Sequence, residues 1–89
     1  MPTIKRIHYS SHFIRATRKL TLELQNKTIE REKIFGANCF DPRLDTHKLS
    51  GKLKRSWSFS VDFHNRILFD FLPNNEVLFI DVGDHDIYK

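Results

Sequence analysis

Cysteine is nearly absent. Cys39 is the sole one among 89 residues, so the chain cannot close a disulfide on itself. No basic group stands beside it to activate a thiolate, and it reads as a buried or loop thiol rather than a nucleophile. Long apolar runs are missing too: the longest, Val77 to Ile80, is far short of the roughly 18 residues that span a bilayer. Met1-Pro2-Thr3-Ile4-Lys5-Arg6 lacks the apolar stretch of a secretory signal, and a cytoplasmic protein without membrane contact is expected. With three Gly and three Pro, no repeat and no Gly/Ser linker, a single continuous domain over 1–89 is predicted.

Apolar side chains and charge are plentiful. Hydrophobic residues at 39%, with eight Phe, supply what a disordered chain lacks. Residues 1–55 carry thirteen Lys or Arg against five Asp or Glu, whereas 56–89 carry two against six. A basic half followed by an acidic one is the first footprint of a polyanion-binding surface, though solvated basic helices give the same count.

Ile4 to Tyr9 reads as a short edge strand, ended by Ser10-Ser11, either of which can cap a helix. Phe13, Ala16, Thr17, Leu20 and Leu24 fall at helical spacing and form a core stripe. Thr21 to about Phe35 is rich in helix formers and stops at Gly36 or Asn38. The spacing therefore predicts a helical hairpin over 11–36, with Arg15, Arg18, Lys19, Lys27, Arg31 and Lys33 wet, and a connecting loop from Cys39 to Asp45.

The second half is β. Trp57, Phe59 and Val61 alternate with Ser58, Ser60 and Asp62, and a second alternating run begins at Arg66. A three-residue loop, Phe63-His64-Asn65, pairs Asp62 with Arg66 and sorts the hairpin into an apolar and a polar face. Pro73-Asn74-Asn75 turns the chain again into Glu76–Val82, apolar on both faces as in a central strand. Pairing about that turn sets Arg66 near Val82, and His85, just past Gly83, close to the start of the Arg66 strand.

Arg66 thus shares a face with Ser58, Ser60 and Asp62. It is either a surface ion pair with Asp62 or a guanidinium offered bidentately to a phosphate. His85 is either a loop residue held by Asp84 and Asp86 or a proton-transfer group. His47 lies in a basic tract with Lys48, Lys52, Lys54 and Arg55, either as a solvated loop residue or inside a polyanion site. Among His8, His12, His47, His64, His85 and Cys39, only His8 and His12 have ligand-like spacing, and they straddle a strand–helix junction; no metal site is expected.

The ordered set Asp41-Pro42-Arg43-Leu44, Thr46-His47-Lys48-Leu49-Ser50-Gly51, Trp57-Ser58-Phe59-Ser60-Val61, Arg66-Ile67 and Asp81-Val82-Gly83-Asp84-His85-Asp86-Ile87-Tyr88 resembles the RelE/YafQ/YoeB toxins of the RelE/ParE superfamily. The resemblance implies an α+β fold: an N-terminal strand and a two-helix hairpin packed on a twisted, mainly antiparallel sheet of four or five strands. It implies the toxin of a toxin–antitoxin pair, an endoribonuclease that takes messenger RNA in the ribosomal A site and is silenced by a companion antitoxin. Arg66 falls on the family's phosphate-contacting arginine and His85 on its C-terminal catalytic histidine. His47 falls near a position that is a carboxylate in YoeB-like members, and Asn65 close to the acidic residue of YafQ-like members.

On this reading His85 is the general acid, Arg66 the transition-state stabiliser and His47 the base. Lys48, Lys52, Lys54 and Arg55 hold the RNA backbone, and Tyr88 stacks a base. No cofactor is required, because RNA carries its own 2′-hydroxyl nucleophile. The alternatives are a ParE-like toxin that poisons gyrase without chemistry, or a plain basic RNA-binding domain.

Overall fold

The computed structural model describes residues 3–88. Strand β1 (Arg6–Tyr9) leads into helices α1 (Ser11–Arg18) and α2 (Leu22–Ala37). Then follow β2 (His47–Lys48), β3 (Trp57–Ser60), β4 (Arg66–Leu72) and β5 (Glu76–Gly83). Single 3-10 turns at Pro42–Leu44, Gly51–Leu53, Pro73–Asn75 and His85–Tyr88 separate or end the later strands. The strands form one sheet in the order β1-β5-β4-β3-β2; β1 runs parallel to β5 and every other pair is antiparallel. This is the α+β architecture predicted, with five strands.

Both helices begin where a hydroxyl can replace a missing backbone acceptor. Ser10 Oγ accepts from the Phe13 N–H at 3.0 Å, and Thr21 Oγ1 accepts from the Leu24 N–H at 3.2 Å. Between them the chain breaks at Lys19 and Leu20, so the apolar stripe of the first half passes from one helix to the next.

The stripe covers one face of the sheet. Phe35, fully buried, stacks on Phe59 (centroids 4.6 Å, interplanar 20°) and meets Phe69 and Phe79 edge-on at 4.9 and 5.5 Å. Phe13, Cys39, Leu44, Val61, Ile67, Val77 and Val82 complete this core. Burial pushes the Cys39 thiol up from its ordinary pKa, which keeps it protonated and inert. The Trp57, Phe59, Val61 face is the inner one, and the Ser58, Ser60, Arg66 face is outward, as the alternation predicts.

Two registers differ from those read off the sequence. Arg66 pairs with Ser60, not Asp62, because Asp62 leaves the ladder to organise the loop. Its carboxylate accepts from the backbone of His64 (2.9 Å) and Asn65 (2.7 Å) and from the Asn65 side chain (3.0 Å). Partial burial opposes ionisation of Asp62, yet these hydrogen bonds hold its pKa below the usual carboxylate value. On the other side Arg66 pairs with Gly83, not Val82. Leu68 pairs with Asp81 but Phe69 with Phe79, so Ile80 is an extra residue, a bulge that moves the β5 end by one position.

Ser10 pins that bulge. Its hydroxyl donates to the Ile80 carbonyl at 2.9 Å while capping α1, and its N–H donates to the Phe79 carbonyl at 3.0 Å. Ser10→Ala is expected to cost about 1–2 kcal/mol through loss of the cap and of the Ile80 bond. For a domain of this size that is a fall in Tm of about 4–8 °C per kcal/mol. Thermal denaturation followed by circular dichroism checks it, and a Tm equal to that of the parent chain removes this role for Ser10.

Candidate active site

The outward face of the sheet carries the polar cluster, and Arg66 is its centre. As the first residue of β4, with Ser60 across one strand and Gly83 across the other, Arg66 has a small neighbour on each side. Its guanidinium lies along the sheet. Nε donates to Ser58 Oγ at 3.1 Å and Nη1 to Ser60 Oγ at 2.9 Å, while Nη2 donates to the Asp45 carbonyl at 2.9 Å. Nη1 also lies 3.5 Å from the Asp45 carboxylate, which is 74% exposed against 17% for the arginine side chain. The partner expected from sequence, Asp62, is engaged in its own loop. Arg66 is thus fixed from beneath by two serines, with the exposed Asp45 carboxylate on its wet edge.

His47 joins this cluster directly. Two residues of the basic tract form β2 at the sheet edge, with His47 opposite Ser58 and Lys48 opposite Trp57. His47 Nδ1 lies 3.2 Å from Arg66 Nη2 and 3.0 Å from the Asp45 carbonyl. Strand alternation sends Lys48 to the opposite face from His47, away from the arginine. Lys52, Lys54 and Arg55 are exposed between β2 and β3. Lys52, with Leu49, Ser50, Leu53 and Tyr88, lines an open recess of about 340 Å³.

The C-terminal turn closes the other side. A Cβ at Gly83 would stand 2.9 Å from Ile87 Cγ2, so glycine is what lets the chain fold back on the end of β5. That return brings the Tyr88 hydroxyl to Ser58 Oγ, to which it donates at 3.1 Å. Ser58, fully buried, accepts from Tyr88 and Arg66 alike. His85 is exposed at the start of this turn, its ring 6.3 Å from that of Tyr88. The tightest group is therefore Arg66, His47 and Asp45, with His85 attached through Tyr88 and Ser58. Asn65 stays in the β3–β4 loop, bonded to Asp62.

Sequence reasoning missed Asp45. It is in the left-handed region (φ 49°, ψ 47°), at the end of the turn begun by Asp41. Asp41 receives the Arg43 backbone N–H at 2.9 Å and a two-pronged contact from the Arg43 guanidinium at 3.0 and 2.9 Å. Those bonds, the side-chain pair above all, hold the Asp41 carboxyl at about 2. The tolerance of Asp for left-handed backbone is the one signal the sequence offered.

Among the described residues no group of three or more His, Cys, Asp or Glu is arranged to hold a metal ion, and no helix is long and apolar enough to cross a membrane.

No protein-family model and no curated protein matches the sequence. Solved structures do. The YoeB/ParE toxin from Agrobacterium tumefaciens superposes with a TM-score of 0.76 at 11% identity, over 90% of this chain and 98% of that one. The archaeal RelE–RelB complex from Pyrococcus horikoshii gives 0.73 at 12%, over 94% and 96%. The E. coli DinJ–YafQ toxin–antitoxin complex gives 0.73 at 19%, over 94% and 97%. The chain has the fold of the RelE, YafQ and YoeB/ParE toxins along nearly its whole length.

Proposed function

We propose that this chain is the toxin of a toxin–antitoxin pair and acts as a ribosome-dependent endoribonuclease on messenger RNA, using no metal. The observation that carries the reading is the Arg66 guanidinium, held by Ser58 and Ser60 on the outward face and in contact with His47. An arginine so fixed offers positive charge where a phosphorane-like transition state builds up negative charge, at little reorganisation cost. In the proposed reaction His47 takes the 2′-hydroxyl proton and the 2′-oxygen attacks phosphorus. The bond to the 5′-oxygen breaks as His85 protonates that oxygen. The products are a 2′,3′-cyclic phosphate and a free 5′-hydroxyl. Lys52, Lys54 and Arg55 supply charge along the RNA backbone and Tyr88 borders the recess beside them, whereas Lys48, on the other face of the edge strand, takes no part.

The similar structures include the DinJ–YafQ and RelBE2 toxin–antitoxin complexes and the RelE–RelB complex. The exposed cations of the helices, Arg15, Arg18, Lys19 and Lys33, suit an acidic companion wrapping this chain.

The test is incubation with translating ribosomes and, in parallel, with DNA gyrase, each with and without the acidic protein encoded beside it. Cleaved mRNA that is spared by the companion, with gyrase unaffected, is the expected result. Intact mRNA together with blocked gyrase would establish a ParE-like mode instead, and intact mRNA with active gyrase would leave an RNA-binding domain.

A further inference from the structure

Three polar atoms, two from the Asp45–His47 segment and one from Arg66 about twenty residues on, form a nearly equilateral triangle. Arg66 Nη2 is 2.9 Å from the Asp45 carbonyl oxygen, His47 Nδ1 is 3.0 Å from that same oxygen, and Nη2 and Nδ1 are 3.2 Å apart. The two hydrogens of a guanidinium Nη2 diverge by about 120°, whereas the other two corners subtend only about 60°. Aiming one hydrogen at each would bend both bonds by about 30°. If Nδ1 were an acceptor, the triangle would hold two bent bonds from one nitrogen and set two lone pairs, on Nδ1 and on the carbonyl, against each other at 3.0 Å. If Nδ1 carries the proton, the carbonyl uses both its lone pairs and accepts two bonds. The remaining edge then brings two donors together at 3.2 Å, a cost that solvent around the exposed imidazole reduces.

The oxygen is there because the Asp45 backbone is left-handed. Leu44, fully buried, anchors the residue before it, and the Thr46 hydroxyl donates to the Cys39 carbonyl at 2.6 Å just after it. The Asp45 N–H closes the 3-10 turn onto the Pro42 carbonyl, and Arg31 Nη1 donates to the Arg43 carbonyl at 3.0 Å. A turn held at both ends leaves the Asp45 carbonyl one direction in which to point.

We propose that Asp45 is the positioning residue of the site: its left-handed carbonyl binds Arg66 and takes the Nδ1 proton of His47, fixing the tautomer in which Nε2 is bare and able to accept a proton. The consequence for catalysis rests on the ribonuclease reading; the tautomer does not, and can be measured without RNA. The role belongs to the backbone, so Asp45→Asn, which tolerates the left-handed region, keeps the arrangement. Asp45→Val, whose branched side chain is excluded from it, loses the arrangement.

The experiment is long-range ¹⁵N–¹H correlation spectroscopy of the labelled full chain at pH about 8, where an ordinary imidazole is neutral. It is paired with cleavage kinetics on translating ribosomes. His47 is expected as the Nδ1–H tautomer in the parent chain and in Asp45→Asn. In Asp45→Val that signature is lost and kcat falls about tenfold or more, with KM changed by less than about threefold. A proton on Nε2 in the parent spectrum overturns the proposal, and this holds whether or not Asp45→Val folds. A Val variant with parent tautomer and parent kcat overturns it equally. A parent chain with Nδ1–H in place that cleaves no RNA sinks the ribonuclease reading alone.

Discussion

Replacing Arg66 with Ala is expected to lower RNA cleavage at least about a hundredfold, the scale on which one preorganised charge-stabilising group acts. Arg66→Lys should recover little of it. Lysine carries the charge but has one nitrogen, whereas the site uses Nε for Ser58, Nη1 for Ser60 and Nη2 for the Asp45 carbonyl. An ammonium therefore has no means of reproducing the fixed orientation. The loss should fall on kcat, because the exposed basic residues from Lys52 to Arg55 still hold the RNA. Folding should survive, as the inner face of β4 keeps Ile67 and Phe69 buried. Single-turnover cleavage on ribosome-bound message measures this, with the melting curve as control. Folded Arg66→Ala that cleaves at the parent rate removes Arg66 from the chemistry.

A larger effect is expected from changing the substrate. A single 2′-deoxy nucleotide at the cut should abolish cleavage there, because the proposed reaction has no nucleophile other than the 2′-oxygen. The 5′ fragment of the all-ribose message should end in a 2′,3′-cyclic phosphate or the 3′-phosphate that its hydrolysis gives. Sequencing gels with and without phosphatase treatment read both ends. Persistent cutting at the deoxy position, or cutting that a chelator stops, points instead to a water activated by a metal ion.

Much of the fold was legible because local chemistry and long-range packing agreed. Ser10 and Thr21 are cap residues by type and cap in fact, and the alternation from Trp57 to Ser60 sorts the hairpin into an inner aromatic and an outer serine face. Arg66 on the serine face follows from that period of two, which survives an even shift of register. Ser60 replaces Asp62 as its neighbour without turning the arginine inward.

The Val82 assignment failed for a different reason. Nothing in Glu76–Gly83 announces a bulge, and the extra residue at Ile80 is held by Ser10, seventy positions away in the chain. The β2 strand was hidden likewise. Thr46 to Arg55 is a basic tract with little strand pattern, and only two of its residues pair, as an edge that β3 supplies with partners.

Residue types and their spacing were sufficient for the helix starts, the identity of the inner face, and the placing of Arg66 on the face that carries Ser58 and Ser60. Each of these follows from propensities and periodicities that act within a few residues. The contact of Arg66 with His47 through Asp45 was decided in three dimensions. It requires a buried Leu44, a left-handed residue after it and an edge strand that exists only beside β3. Hydrogen bonds between segments twenty residues apart depend on where a turn points its carbonyl, and that direction is set by packing rather than by the identity of the residues it joins.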